Sequence, residues 1–192
     1  MSSLANHNLI NRQLTRVKPE STETHQLQIN MNHVDNNVMG SLTAEHKELV
    51  KQTWAIVDAD KSKHGKDFFV ELFVSFPDYL TFFKGKLTSK EDILTNEKFA
   101  EEHIVGKVMT AIGKVVENLD NESALEAALV QLGKNHYKRN VLEPHFENAK
   151  KVLLTVLERN LGDLWTKEVG EAWVTTLNVA FSIIYKGLHA ET

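Results

Sequence analysis

From Ser41 onward the apolar residues of this chain recur every three or four positions, and nowhere do they alternate with period two over the length of a strand. The pattern divides into helices. Thr43 is placed to cap a first one, with Leu49, Val50, Trp54 and Val57 inward and Glu45 suited to the positive end of the helix dipole. A second follows Lys63-His64-Gly65 and carries Phe68, Phe69, Leu72, Phe73 and Phe76, after which Pro77 can open a short third. Phe82 to Asn96 is polar and reads as loop, with Lys84-Gly85-Lys86 as a turn. The next helix covers about Glu97 to Leu119, where Ile104, Val105, Val108, Met109, Ile112, Val115 and Val116 repeat at helical spacing. Three more end near His136, run from about Pro144 to Asn160, and run from about Thr166 to Leu188. The fold class is all-α.

Residues 1–40 break this pattern. They are rich in Asn, Ser, Thr, Gln and His, hold no aromatic residue, and close on Asn36-Asn37-Val38-Met39-Gly40. Such a segment cannot bury enough apolar surface to offset the entropy of ordering it, so it reads as a flexible N-terminal extension. Arg12, Arg16 and Lys18 precede the first acid, Glu20, and Leu4, Ile10, Leu14 and Val17 form a ragged helical face at best, which leaves a membrane-touching or targeting segment as the alternative. A solvated tail is the better reading.

Composition narrows the chemistry. At 192 residues the chain fits one domain with an extension, and a domain of this size buries roughly 70 % of its unfolded surface. The absence of cysteine removes disulfides, thiolate metal sites and cysteine nucleophiles. A net charge of −4 gives no basic signature for nucleic acid. No apolar run approaches the ~20 residues of a membrane span, and no signal peptide is apparent. The expectation is a soluble, cytoplasmic protein.

His136 is the residue that stands out. Leu125, Leu129 and Leu132 lie eleven, seven and four positions before it and share its helical face, so an imidazole projects from an apolar stripe. Alone, such a histidine is ordinarily a satisfied core residue.

The surrounding spacing resembles the globin family over about 150 residues, from Leu42 to Leu188. Trp54 falls where that family places its first-helix tryptophan, and Gly65 where the second helix needs a small residue for a crossing helix. Phe83, six residues after Pro77, matches the near-universal phenylalanine that wedges against haem. His136 matches the proximal iron ligand, followed at family distance by Leu142, which would pack on the porphyrin, and Pro144, which opens the next helix. The resemblance implies a globin domain over 41–190, with seven or eight helices around a haem b pocket. Leu129 and Leu132 would then wall the proximal side, and the second ring nitrogen of His136 would donate to an oxygen that fixes its tautomer. Phe69 would roof the ligand side.

The distal side is ambiguous. His103 is the obvious donor toward a gas ligand, yet gap-free counting from Phe83 or His136 puts Ile104 at the usual position, in an apolar stripe with Val108 and Ile112. With His103 inward, Phe99 supports it from the first turn, but Lys107 falls on the same face, where a charge is costly. A locally overwound or bulged helix would admit both, and Gly106 hints at such an irregularity. The other histidines read as peripheral: His64 in a helix corner, His145 toward the first or second helix, and His7, His25, His33, His46 and His189 solvated. Glu101 and Glu102, about 100° apart on a helix, read as a solvated face.

The implied function is reversible binding of dioxygen or another diatomic gas, for storage, transport or sensing, with His136 as proximal ligand. The alternatives are a hexacoordinate globin with His103 as sixth ligand, suited to redox sensing or electron transfer, and a nitric oxide dioxygenase or peroxidase-like enzyme. The last would require an outside reductase. A second copy of the chain is a further partner left open.

Overall fold

The computed structural model describes residues 42–190, and the extension read over residues 1–40 lies outside them. Eight α-helices, one π-helix and two 3-10 segments make up this part, and it contains no strand. Helix α1 (Ala44–Asp58) starts where the Thr43 hydroxyl accepts the His46 N–H at 3.1 Å, and buries Val50, Thr53, Trp54 and Val57. Helix α2 (Lys61–Ser75) starts on the Asp60 carboxylate, buries Gly65, Phe68, Phe69, Leu72 and Phe73, and stops before Pro77, which opens a 3-10 segment through Phe83.

The stretch expected to be loop contains one helical turn, α3 (Asp92–Thr95). Its nucleus is the Asp92 carboxylate, which accepts from the Thr88 and Ser89 backbone N–H groups at 2.6 and 3.1 Å and from the Thr88 hydroxyl at 2.8 Å. Side-chain turn chemistry of this kind leaves no apolar period to read. Asn96 then caps α4 (Glu97–Phe99), which continues as a π-helix over Ala100–Met109 and returns to α geometry as α5 (Thr110–Glu117).

Three long helices complete the fold: α6 (Glu122–Tyr137), α7 (Glu143–Leu161) and α8 (Lys167–His189). Helix α8 is the central element, packed on α1, α6 and α7, while α2 packs on α7 and on the π segment. Trp54 and Trp173 meet at 6.3 Å, and the indole N–H of Trp173 donates to the Thr53 hydroxyl at 2.9 Å, so a buried donor is satisfied across α1 and α8. Glycines set two of the crossings. A Cβ on Gly65 would overlap Ile104, and Cβ atoms on Gly133 and Gly187 would overlap backbone of the facing helix.

Two apolar clusters result. One joins α1, α2, the π segment, α5, α7 and α8; the other joins Leu125 and Leu129 of α6 to Phe146 of α7 and to Val179, Ile183 and Ile184 of α8. Val115 and Phe181 are half-buried and pack against both.

Candidate functional site

His136 occupies the last turn of α6. Beyond it the chain reverses through Asn140, whose φ of 59° is the left-handed conformation asparagine tolerates, and Val141 N–H returns to the His136 carbonyl at 3.1 Å. Pro144 then opens α7, and Phe146 on its first turn sets its ring against the imidazole at 5.0 Å and 62°. Nδ1 of His136 lies 2.9 Å from the carbonyl oxygen of Leu132 one turn back. A carbonyl only accepts, so Nδ1 carries the proton and Nε2 keeps its lone pair. Nε2 makes no hydrogen bond among the described residues. Burial is the main cause that pushes the His136 pKa below its ordinary value, the Leu132 bond opposes this, and Arg139 adds to it. The result is a neutral imidazole with one fixed tautomer and a free lone pair.

The backing of this ring is itself held. Phe146 is buried against Phe181 and Tyr185, and the Tyr185 hydroxyl donates to the Glu147 carboxylate. The same carboxylate accepts from Lys150 at 3.0 Å, and Lys150, 5 % exposed, also donates to Asn178 at 3.3 Å and lies over the Phe181 ring. A buried ammonium is tolerable only with this many partners. Burial followed by the carboxylate raises the pKa of Tyr185, which keeps the phenol a donor.

On the other cluster the four rings of Phe69, Phe73, Phe83 and Phe99 meet largely edge to face, at 5.4 to 5.7 Å. His103 extends it, stacked on Phe99 at 5.0 Å and 1°. Its Nε2 lies 2.6 Å from the ammonium of Lys86, while its buried Nδ1 has no partner. Burial, then Lys86 and Lys107, lower its pKa, with Glu102 opposing. Ile104 is placed differently: it is fully buried against Gly65 at the crossing with α2. The reason is the π-helix. One turn here takes more than four residues, as the Thr110 backbone N–H donated to the Val105 carbonyl five positions back shows, so the helix is underwound rather than overwound. Widening the turn removes the α register in which Ile104, Val108 and Ile112 formed one stripe. Val108 and Ile112 stay half-buried beside the first cluster.

Among the other expected site residues, Phe69 is fully buried, Phe83 half-buried in the aromatic cluster, and Leu132 half-buried on the second cluster. Leu142 is 38 % exposed. The His145 ring meets Tyr79 and Phe82 of the 3-10 segment, and its Nδ1 accepts the Leu142 N–H at 2.9 Å. His46 is half-buried rather than solvated, with Nδ1 lacking a partner, and Nδ1 of His64 is likewise unpartnered instead of joining a corner network. Burial, then Lys63, lower the His64 pKa. His189 faces Glu143 at 3.3 Å, and Glu101 and Glu102 are exposed. His7, His25 and His33 lie outside the described residues. Sequence reasoning missed Phe146 and Lys86. Phe146 had a signal, being two residues after the proline that opens α7, but a contact across 17 residues such as Lys86 to His103 leaves none.

The donor set is informative about the metal that would fit. Among the described residues no three His, Cys, Asp or Glu side chains converge on one position. A metal held on Nε2 of His136 therefore has to arrive with most of its coordination sphere filled, as iron does in a porphyrin. The half-buried apolar side chains Phe83, Val108, Ile112 and Leu132 suit the face of such a macrocycle.

Comparison with known proteins agrees with this chemistry. The sequence pattern of the globin family matches residues 66–184. The chain is 31 % identical to neuroglobin of Dissostichus mawsoni and to neuroglobin-1 of Oncorhynchus mykiss, in each case over 151 residues that cover 78 % of this chain and 94 % of the relative. Among solved structures it superposes on a hexacoordinated heme protein from an anhydrobiotic tardigrade with a TM-score of 0.70 and 24 % identity, over 77 % of this chain and 96 % of that one. At that identity the likeness speaks for the fold alone.

Proposed function

The chain belongs to the globin family, and on that premise we propose that it is a haem b protein that binds a diatomic gas reversibly, with His136 as proximal iron ligand and His103 as the distal residue. The observation that carries this reading is the Nδ1–H of His136 donated to the Leu132 carbonyl, which leaves Nε2 as an oriented, neutral ligand on an apolar wall. Haem, when bound, would supply an iron able to take up and release a diatomic gas. The protein supplies the rest: Phe146 backs the proximal ring, Phe83, Val108, Leu132 and Leu142 offer apolar contact, and Phe69 closes the aromatic cluster behind Phe83.

His103 is favoured over Ile104 because Ile104 is spent on the Gly65 crossing, while the His103 ring projects from the aromatic cluster with one nitrogen covered. A histidine so placed can donate to a gas or take the iron itself. This second use is the hexacoordinate reading, and the two differ only in how much of the protein keeps the axial position open. In the closed form the protein suits redox sensing or electron transfer, with an outside reductase returning iron to the ferrous state. The test is haem uptake by the full chain: His136→Ala loses stable haem retention, and a variant that holds haem as the parent does, with the same spectrum, overturns the proximal assignment.

A further inference from the structure

Among the described residues the one hydrogen bond to the His103 imidazole comes from Lys86, and several features place that lysine. The turn carrying it is closed by Lys86 N–H and Leu87 N–H, both donated to the Phe83 carbonyl at 2.9 and 3.1 Å, and buried Leu87 anchors it. Asn96 ties the turn to the helix that carries His103: its side-chain oxygen caps that helix by accepting the Phe99 N–H at 3.0 Å, and its amide donates to the Lys86 carbonyl at 3.3 Å. From this position the ammonium reaches Nε2 of His103 at 2.6 Å. An ammonium only donates, so Nε2 accepts and the ring proton sits on Nδ1. Nδ1 is buried without a partner, and the ring face is occupied by Phe99. Nε2 is therefore the nitrogen that can reach an iron, and its lone pair is engaged by Lys86.

We propose that Lys86 is a latch on the distal histidine: by holding the Nε2 lone pair it competes with iron for His103 and so keeps the axial position open to gas. The inference rests on the proposed haem function and names its regulation. Lys86 is a positioning residue, since it acts through His103. The underwound helix presents His103 at the aromatic cluster within reach of Lys86, a helix distortion of a kind frequent at functional sites. Two exclusive partners for one lone pair make the equilibrium responsive to anything that draws Lys86 away.

The test uses the haem-loaded full chain, with carbon monoxide as the probe and the ferrous gas-free spectrum as the second readout. Losing a charge-assisted bond to the competing state raises the six-coordinate fraction, so Lys86→Met sharpens the paired visible bands and weakens apparent carbon monoxide affinity about tenfold or more. Lys86→Arg, which can still donate to Nε2, restores the parent behaviour, and Lys84→Met, which removes the same charge from the same turn, leaves it unchanged. In a His103→Leu background Lys86→Met has no effect on affinity. Equal affinity and spectra in Lys86→Met and the parent overturn the latch, as does an effect that persists without His103. A chain that takes up no haem overturns the proposed function itself, so the two failures are distinguishable.

Discussion

Replacing Gly187 by alanine tests whether the placement of the His136 helix depends on two backbones in direct contact. A Cβ at Gly187 would overlap the Val130 carbonyl oxygen and lie 2.9 Å from its carbonyl carbon, while one at Gly133 would overlap the Ile184 carbonyl oxygen and lie 3.0 Å from Gly187 Cα and Leu188 N. None of these atoms is a side-chain tip that can rotate away, so α6 and α8 must separate. Overpacking of this kind costs about 2–3 kcal/mol at the upper part of its range, and the helix propensity gained by alanine over glycine returns about 1 kcal/mol. The net loss is about 1–2 kcal/mol, a fall of roughly 2–8 °C in melting temperature for a domain of this size. Gly113 provides the internal control: it too lies inside a buried helix, but its nearest neighbour would be Trp54 Nε1 at an ordinary 3.6 Å, so Gly113→Ala keeps the propensity gain and melts roughly 2–4 °C higher. Thermal unfolding followed by far-ultraviolet circular dichroism reads both. A Gly187→Ala protein as stable as Gly113→Ala would refute the close-contact argument.

Two other consequences are open to measurement. Thr53→Val keeps the shape of the side chain but strands the buried indole N–H of Trp173, and denaturant unfolding should show a loss of about 1–3 kcal/mol. Asp92 accepts bonds from Thr88 and Ser89 that lower its pKa, the Thr88 backbone bond first; its contribution is present above the unfolded carboxylate value near 4 and is lost as pH falls through the lower folded value. The amide resonances of Thr88 and Ser89 should therefore move only at pH below about 4, and in Asp92→Asn that transition should be absent.

Much of this molecule could be read from residue order, because helices with one apolar face announce themselves by period. The cap at Thr43, the stop before Pro77 and the starts near Pro144 and Thr166 all coincide with observed helix ends to within a residue or so. His136 was legible because its stripe of leucines and its distance to Pro144 are both local. The distal side was not, since an α-helical projection assumes 3.6 residues per turn and the π segment does not keep it. That single departure separates His103 from Ile104 and sends one to the aromatic cluster and the other to the Gly65 crossing. The α3 turn escaped for another reason: it is nucleated by hydrogen bonds of one carboxylate, which carry no hydrophobic signal. Lys86 escaped because only the folded turn brings it to His103.

The central claim is that two histidines, His136 and His103, address one haem iron from separate clusters. The visible spectrum of the ferrous, gas-free full chain tests it most directly when recorded beside His103→Leu. The account predicts a mainly broad band in the parent, where Lys86 holds most of His103 away from iron, with a minor paired-band component that disappears in His103→Leu, and faster oxygen release by that variant. Identical spectra together with identical oxygen release rates for the two proteins would contradict it and return the distal position to Ile104.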